Sequence, residues 1–289
     1  MLAISQPIQP QPAVSLIDTS IATGAYANSF LCENTNEEYH GDKSHLSSST
    51  IKEMLRSPAH CKAYMSGKKR KETNAMQIGT ALHMAVLEPH LFGSSYAIWD
   101  DIRKGKLYDE FLVKNKGKTV LRGEEMDKVI GMANAVRAYS DYPIQRAIEI
   151  GHSELSIYWT DPETGIGLKI RPDSFSEYGV LDVKKTQDAR PEKFVWSCRD
   201  YGYDVQAALY MTGMEYFLGK KVPFYFIAVE EEAPHGVWVH EVSKEMYESG
   251  MTKLRKALNM YKQCKETNSW PAYQNAFSVI RWPEYLAAA

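Results

Sequence analysis

No apolar run in this 289-residue chain approaches the roughly 20 residues needed to cross a bilayer, so no membrane-spanning helix is expected. The first residues, Met1 to Pro7, have neither a basic segment nor an apolar one behind it, so no secretory leader is expected. Cysteine is scarce: Cys32, Cys61, Cys198 and Cys264 are scattered without a pattern, as suits reduced thiols in a cytoplasmic protein. Positive charge is not in excess either. A net charge of −2 advertises no overall grip on polyanions. Charge is locally uneven, with the run Lys68-Lys69-Arg70-Lys71 and, from 103 to 122, seven Lys or Arg against two acidic residues. Each stretch fits a solvated face; if folding brought them together they would form one positive wall.

Residues 1–40 carry Pro7, Pro10 and Pro12 among many Gln, Ser, Thr and Asn, with no sustained periodicity. They read as a flexible or partly ordered arm whose removal should leave the rest working. Residues 41–289 are expected to form one domain, mainly helical over 41–150 and carrying the core sheet over 151–289. Thr50-x-x-Glu53 fits a capping box for a helix to about Tyr64 that Pro58 ends or bends. A second helix is predicted from Thr73 to Glu88, stopped by Pro89. On it Ala75, Gly79 and His83 share one stripe, whose small residues would allow close approach to another backbone. Residues 100–123 read as a charged loop or insertion, and Glu124–Ala138 has helical spacing.

Downstream the period shortens. Strands are predicted over Ser153–Thr160, Ile166–Phe175, Val180–Thr186, Val222–Glu230 and Val237–Val242. Helices are predicted over Pro191–Arg199, Asp204–Leu218 (ended by Gly219) and Ser243–Thr267, with a break at Tyr201-Gly202-Tyr203. The fold class is α/β (mixed α+β), a central mixed sheet flanked by helices.

Asp182-Val183-Lys184 carries the chemistry. On a strand, Asp182 and Lys184 project from one face and Val183 from the other. Alone the triplet fits a solvated strand face. Val180, Leu181 and Val183 make the strand apolar, however, and buried charges are costly unless paired or bound to metal. Asp173, in Arg171-Pro172-Asp173, lies just upstream across a short turn-rich connection. Two carboxylates and an ammonium would then converge, a site for a hard divalent cation beside a phosphate.

Taken together, Gly79-x-x-x-His83, Arg171-Pro172-Asp173, Asp182-Val183-Lys184 and Gln206-x-x-x-Tyr210 resemble the PD-(D/E)xK nucleases, in particular the RecB-like branch and its RecE-type (exonuclease VIII) exonucleases. Leu87-Glu88-Pro89, Ser156-Ile157-Tyr158-Trp159 and Arg281-Trp282 match in wording too, and the resemblance runs from about Tyr39 onward. It implies a restriction-endonuclease-like fold and a Mg²⁺ or Mn²⁺ held by His83, Asp173, Asp182 and the Val183 carbonyl. Glu154 occupies the place of a carboxylate for a second metal, and also fits a solvent-facing strand end. His83 without the motif would fit a core histidine. Lys184 would orient water or stabilise charge, with a depressed pKa if metal and lysine neighbours crowd it. Gln206 and Tyr210 would stand against the active site and the DNA backbone.

Tyr203 shares that side and would stack on a terminal base, or else be a core tyrosine. Arg171 and Lys185 are the remaining candidates for DNA contact. The cysteines lack the clustering needed for the iron–sulfur site of some RecB-like relatives. The implied activity is 5′-to-3′ digestion of linear duplex DNA to leave a 3′ overhang. The implied partners are double-stranded DNA ends, a single-strand annealing protein, often phage-encoded, and further copies of the chain in a ring of three or four. A RecB-like endonuclease, a structure-specific nuclease and a catalytically silent DNA-binding subunit are the alternatives.

Overall fold

The computed structural model describes residues 22–23, 29–67, 73–140, 144–176, 178–273 and 278–279. After β1 (Ala22–Thr23) and β2 (Ser29–Cys32) come α1 (Asn36–Gly41), α2 (Ser48–Arg56), α3 (Pro58–Met65), α4 (Asn74–Leu87) and α5 (Pro89–Ser95). A small outlying layer follows: β3 (Tyr96–Ile98), α6 (Lys106–Lys114) and β4 (Thr119–Leu121), with β3 and β4 paired in parallel. Next are α7 (Gly123–Arg137), α8 (Ile144–Ile150), β5 (His152–Ser153), β6 (Ser156–Thr160), β7 (Gly167–Ile170), β8 (Ser174–Ser176) and β9 (Gly179–Thr186). Then come α9 (Pro191–Tyr201), α10 (Tyr203–Leu218), β10 (Phe224–Glu230), β11 (Val237–Glu241) and α11 (Lys244–Thr267). Among the described residues no helix is long and apolar enough to cross a membrane.

The central sheet is mixed, in the order β11-β10-β9-β8-β5, with β9 parallel to β10 and the other pairs antiparallel. A second, antiparallel sheet has the order β1-β2-β6-β7. β10 reads as a nearly continuous apolar run because both of its faces are covered, and β9 is buried on both faces from Gly179 to Val183. Val180, Phe224 and Phe226 pack into a core with α2, α10 and α11 through Ile51, Leu209 and Leu258. Leu181, Val183, Ile227 and Val229 pack on the other side, where α4 and α7 bring Leu82 and Val129.

Several boundaries differ from the sequence reading. The chain enters the second sheet at Ala22, in β1, well ahead of the expected boundary at 40; in β2 Leu31 is fully buried, and Phe30 stacks on Tyr158 at 5.1 Å. Residues 1–21 and 24–28 of the expected arm lie outside the described residues, as do Lys68–Lys71 and Arg281-Trp282. The predicted helix to Tyr64 is two helices. Pro58 takes the first position of α3, where a missing N–H costs nothing, and the Ser57 hydroxyl accepts from the His60 N–H at 3.2 Å. The cap of α2 is Ser47, while Thr50 is buried inside the helix. Residues 100–123 contain α6 and β4 rather than a loop alone, with Trp99 against Phe111 at 4.8 Å.

The two strands expected over 153–160 and 166–175 are each broken, and the breaks matter. β5 belongs to the central sheet and β6 to the second; the chain crosses between them at Glu154, whose φ of 56° lies in the left-handed region that non-glycine residues seldom adopt. β7 and β8 are divided in the same way, with Arg171-Pro172-Asp173 as the crossing. Both crossings lie side by side, the Glu154 N–H facing the Asp173 carbonyl at 3.4 Å.

Candidate functional site

Sheet change sets the site. Pro172 cannot donate a ladder hydrogen bond, so the chain leaves β7 there, and the buried Tyr210 hydroxyl pins the crossing by donating to the Arg171 carbonyl at 3.2 Å. Asp173 emerges with its carboxylate divided between two partners. Its Oδ2 accepts from the Val183 N–H at 2.7 Å, and its Oδ1 lies 3.1 Å from Nδ1 of His83 on α4. Alternation along β9 turns Asp182 and Lys184 to the α10 side, where they form an ion pair. There the Gln206 amide donates to Asp182 Oδ1 at 2.6 Å. Five of the expected site residues, His83, Asp173, Asp182, Lys184 and Gln206, are thereby brought into one connected group.

Glu154 joins them from the neighbouring crossing. His83, Glu154 and Asp173 each offer a ligand atom, and these atoms all lie within 4.8 Å of one another. Two carboxylates and one imidazole suit a divalent cation of the Mg²⁺ or Mn²⁺ kind, the imidazole favouring the latter. Asp182 stands one bond network away, its oxygens directed to Gln206 and Lys184, so it is not part of that three-residue group.

Burial and mutual charge set the protonation states. Burial disfavours a charged His83, but the Asp173 carboxylate outweighs it and lifts the imidazole to about 9. Asp173 is held low by His83 in spite of its burial. Burial pushes Asp182 up, and burial with the charge of Asp173 does the same to Glu154. Lys184 was expected to have a depressed pKa. Burial does pull that way, yet Asp182 and Asp173 overcome it and hold the ammonium up to about 12. The depression falls instead on Lys52 of α2, lowered to about 8 by burial and by the charge of Lys184.

The expected DNA contacts find internal partners. The Arg171 guanidinium donates to Glu154 at 2.7 Å and to the Asn34 carbonyl at 2.7 Å, so it braces the crossing. Lys185 pairs with Glu231. The Tyr203 ring stacks on Phe226 at 5.2 Å, with the Lys184 ammonium 5.0 Å from its centre, which leaves it little face for a base. Gly79 and Ala75 do not bring a second backbone close either: a Cβ on Gly79 would meet nothing within 4 Å. Sequence reasoning missed Lys52 and Asn34, neither of which sits in a distinctive pattern.

A family model described as a PDDEXK-like domain of unknown function (DUF3799) matches residues 47–282. The chain belongs to this PDDEXK-like family. The match takes in α2, α4, both crossings, β9 and α10, and so every element that supplies the site apart from the Asn34 brace. Among solved structures, the crystal structure of a "Putative exonuclease" from Eubacterium rectale is similar, with a TM-score of 0.59 and 16% identity, covering 87% of this chain and 96% of that chain. At that identity the likeness shows the fold, the mixed sheet with flanking helices. No curated protein matches this PDDEXK-like chain.

Proposed function

We propose that this PDDEXK-like protein is a metal-dependent exodeoxyribonuclease that digests linear duplex DNA from its 5′ ends and leaves a 3′ overhang. The observation that carries the nuclease reading is the convergence of His83, Glu154 and Asp173 within 4.8 Å, beside the Asp182–Lys184 pair. Preference for ends and 5′-to-3′ polarity rest on the resemblance to RecE-type enzymes. His83, Glu154 and Asp173 would hold Mg²⁺ or Mn²⁺, with Asp182 and the Val183 carbonyl completing the set that the resemblance implies. When bound, the cation supplies Lewis-acid polarisation of the scissile phosphate and a more acidic water. Lys184, an ammonium at neutral pH, faces the negative charge that develops on the phosphate. Gln206 holds Asp182 in one orientation, and Tyr210 holds the crossing that carries Asp173.

The natural substrate would be a duplex end and the partner a cytoplasmic single-strand annealing protein. A net charge of −2 gives weak bulk attraction to DNA, so we further propose retention by a ring of three or four subunits joined head to tail. Light scattering with and without DNA tests the ring; a monomer in both conditions removes it. For the activity, 5′- and 3′-labelled linear duplexes and a covalently closed plasmid are incubated with Mg²⁺, Mn²⁺ or EDTA. Release of the 5′ label with divalent metal, with the closed plasmid intact, is expected. Cutting of the closed plasmid would instead mark an endonuclease, and binding without cleavage a silent subunit.

A further inference from the structure

We propose that Lys52, on α2, is a binding residue for a backbone phosphate of the DNA strand lying beside the scissile one. The inference rests on the proposed nuclease function. Lys52 is half-buried, and its aliphatic stem lies against the Gly202 turn between α9 and α10: a Cβ at Gly202 would meet its Cε at 3.5 Å and its Cγ at 3.6 Å. Gly202 has a φ of 61°, so the turn both needs glycine and presents the bare backbone on which the stem rests. The ammonium lies 5.6 Å from the centre of the Tyr203 ring, the same ring that carries Lys184 at 5.0 Å.

Two ammonium groups thus share one aromatic ring at the edge of the carboxylate site. Lys184 has Asp182 as its ion-pair partner; no carboxylate among the described residues forms an ion pair with Lys52. The position is electrostatically unfavourable, as the downward shift toward about 8 records: burial contributes first and Lys184 next, and the more distant Asp182 and Asp204 carboxylates offset only part of it. Half-buried charge that no carboxylate pairs directly is a cost that a packed fold normally avoids. An anion arriving from solvent would relieve it. DNA reaching the Asp182–Lys184 pair brings one, since successive phosphates follow the scissile phosphate along the strand.

The test counts phosphates. Binding of a fluorescein-labelled duplex is measured across a salt series in the Asp182→Asn chain, and in the same chain carrying Lys52→Gln or Lys52→Arg. Loss of one phosphate contact should make the slope of log K against log salt shallower by about 0.7–0.9. Lys52→Gln is expected to show that change and a roughly tenfold weaker affinity, while Lys52→Arg retains the slope. Single methylphosphonate linkages placed along the strand should reproduce the loss at one position, and that position should cease to matter in Lys52→Gln. Duplexes with 5′-phosphate and 5′-hydroxyl ends distinguish a terminal monoester from an internal diester as the partner, and either sustains the proposal.

Because a half-buried charge repelled by Lys184 is removed, Lys52→Gln should also raise the thermal midpoint of the free protein. An unchanged salt slope, methylphosphonate effects that persist equally in both chains, or a lowered midpoint would each overturn the assignment to phosphate. Absence of DNA cleavage by the wild type and of DNA binding by the Asp182→Asn chain would remove the nuclease reading itself, and this inference with it.

Discussion

Helices α4 and α10 each deliver a side chain to the pair of carboxylates, His83 to Asp173 and Gln206 to Asp182, yet they are built in opposite ways. From Asp204 to Tyr210 every residue of α10 is buried, and a Cβ on its Gly213 would run into Trp159 and Ile170 at 2.7–2.8 Å. An apolar surface all round lets it fill the space between the two sheets and α11. α4 buries one side through Ile78, Leu82 and Val86, while Ala75, Met76 and Thr80 face solvent and Gly79 has no neighbour within reach. Gln206 is therefore held by a fixed wall and His83 by the rim of an open one. A site that must keep its carboxylates in place and still admit a large substrate gains the first property from α10 and the second from α4.

The largest expected effect lies in the carboxylate group that β9 and the Asp173 crossing hold between the two helices. Asp173→Asn, Asp182→Asn and Lys184→Ala should each lower cleavage by about a hundredfold or more, with circular dichroism unchanged. Turnover near wild type in Asp182→Asn would break the site assignment. The fixed wall depends on the N-terminal strand: the Ser29 hydroxyl donates to the Tyr216 carbonyl of α10 at 3.1 Å, and Leu31 lies in the same core. Deleting residues 1–38 should lower stability by at least about 2–5 kcal/mol, the range for emptying one such buried leucine site, read as a shifted denaturant midpoint. An unchanged midpoint would show that β2 adds nothing to that wall.

Alanine at the two glycines gives opposite signs. Gly213→Ala should destabilise by about 1–3 kcal/mol through overpacking against Trp159. Gly79→Ala should stabilise by up to about 1 kcal/mol through helix propensity. Equal effects in chemical denaturation would erase the contrast between the helices. The last effect is in pH. His83 is raised from 6.5 to about 9, so in metal-free protein its contribution to stability is full below pH 6.5 and is lost as pH rises through 9. A bound metal displaces that proton, so metal affinity should rise over the same interval. Melting curves with chelator from pH 6 to 9.5 check the first half. In His83→Ala the loss of stability toward pH 9 should disappear, leaving the opposite, rising trend that Lys52 contributes above about pH 8, and metal titrations identical to wild type would return His83 to the core.

Local rules made much of this legible. Pro89, Gly202 and Gly219 mark helix ends, the alternation of Asp182, Val183 and Lys184 is that of a strand, and the spacing of Gln206 and Tyr210 is one helical turn. Those signals live within a few residues, where dihedral preference and side-chain period act. The charged stretch at 100–123 misled for the same reason: α6 and β4 form on weak local propensity because Trp99 and Phe111 pack together.

The strand breaks at Glu154 and Arg171-Pro172-Asp173 show what local pattern leaves out. Alternation passes through both segments without interruption, and only the pairing of β5 and β8 in one sheet, β6 and β7 in the other, turns them into adjacent crossings. Arg171 meets Glu154 across 17 residues and Asn34 across 137, and Lys52 meets the Tyr203 ring from a different helix. The sequence by itself determined the elements and the identity of the charged groups, since period and backbone preference are properties of neighbours in the chain. Only the tertiary structure decided which charges form ion pairs, which are left half-buried without one, and which carboxylates share a space. Those outcomes depend on desolvation and Coulomb energy between groups that chain position does not bring together.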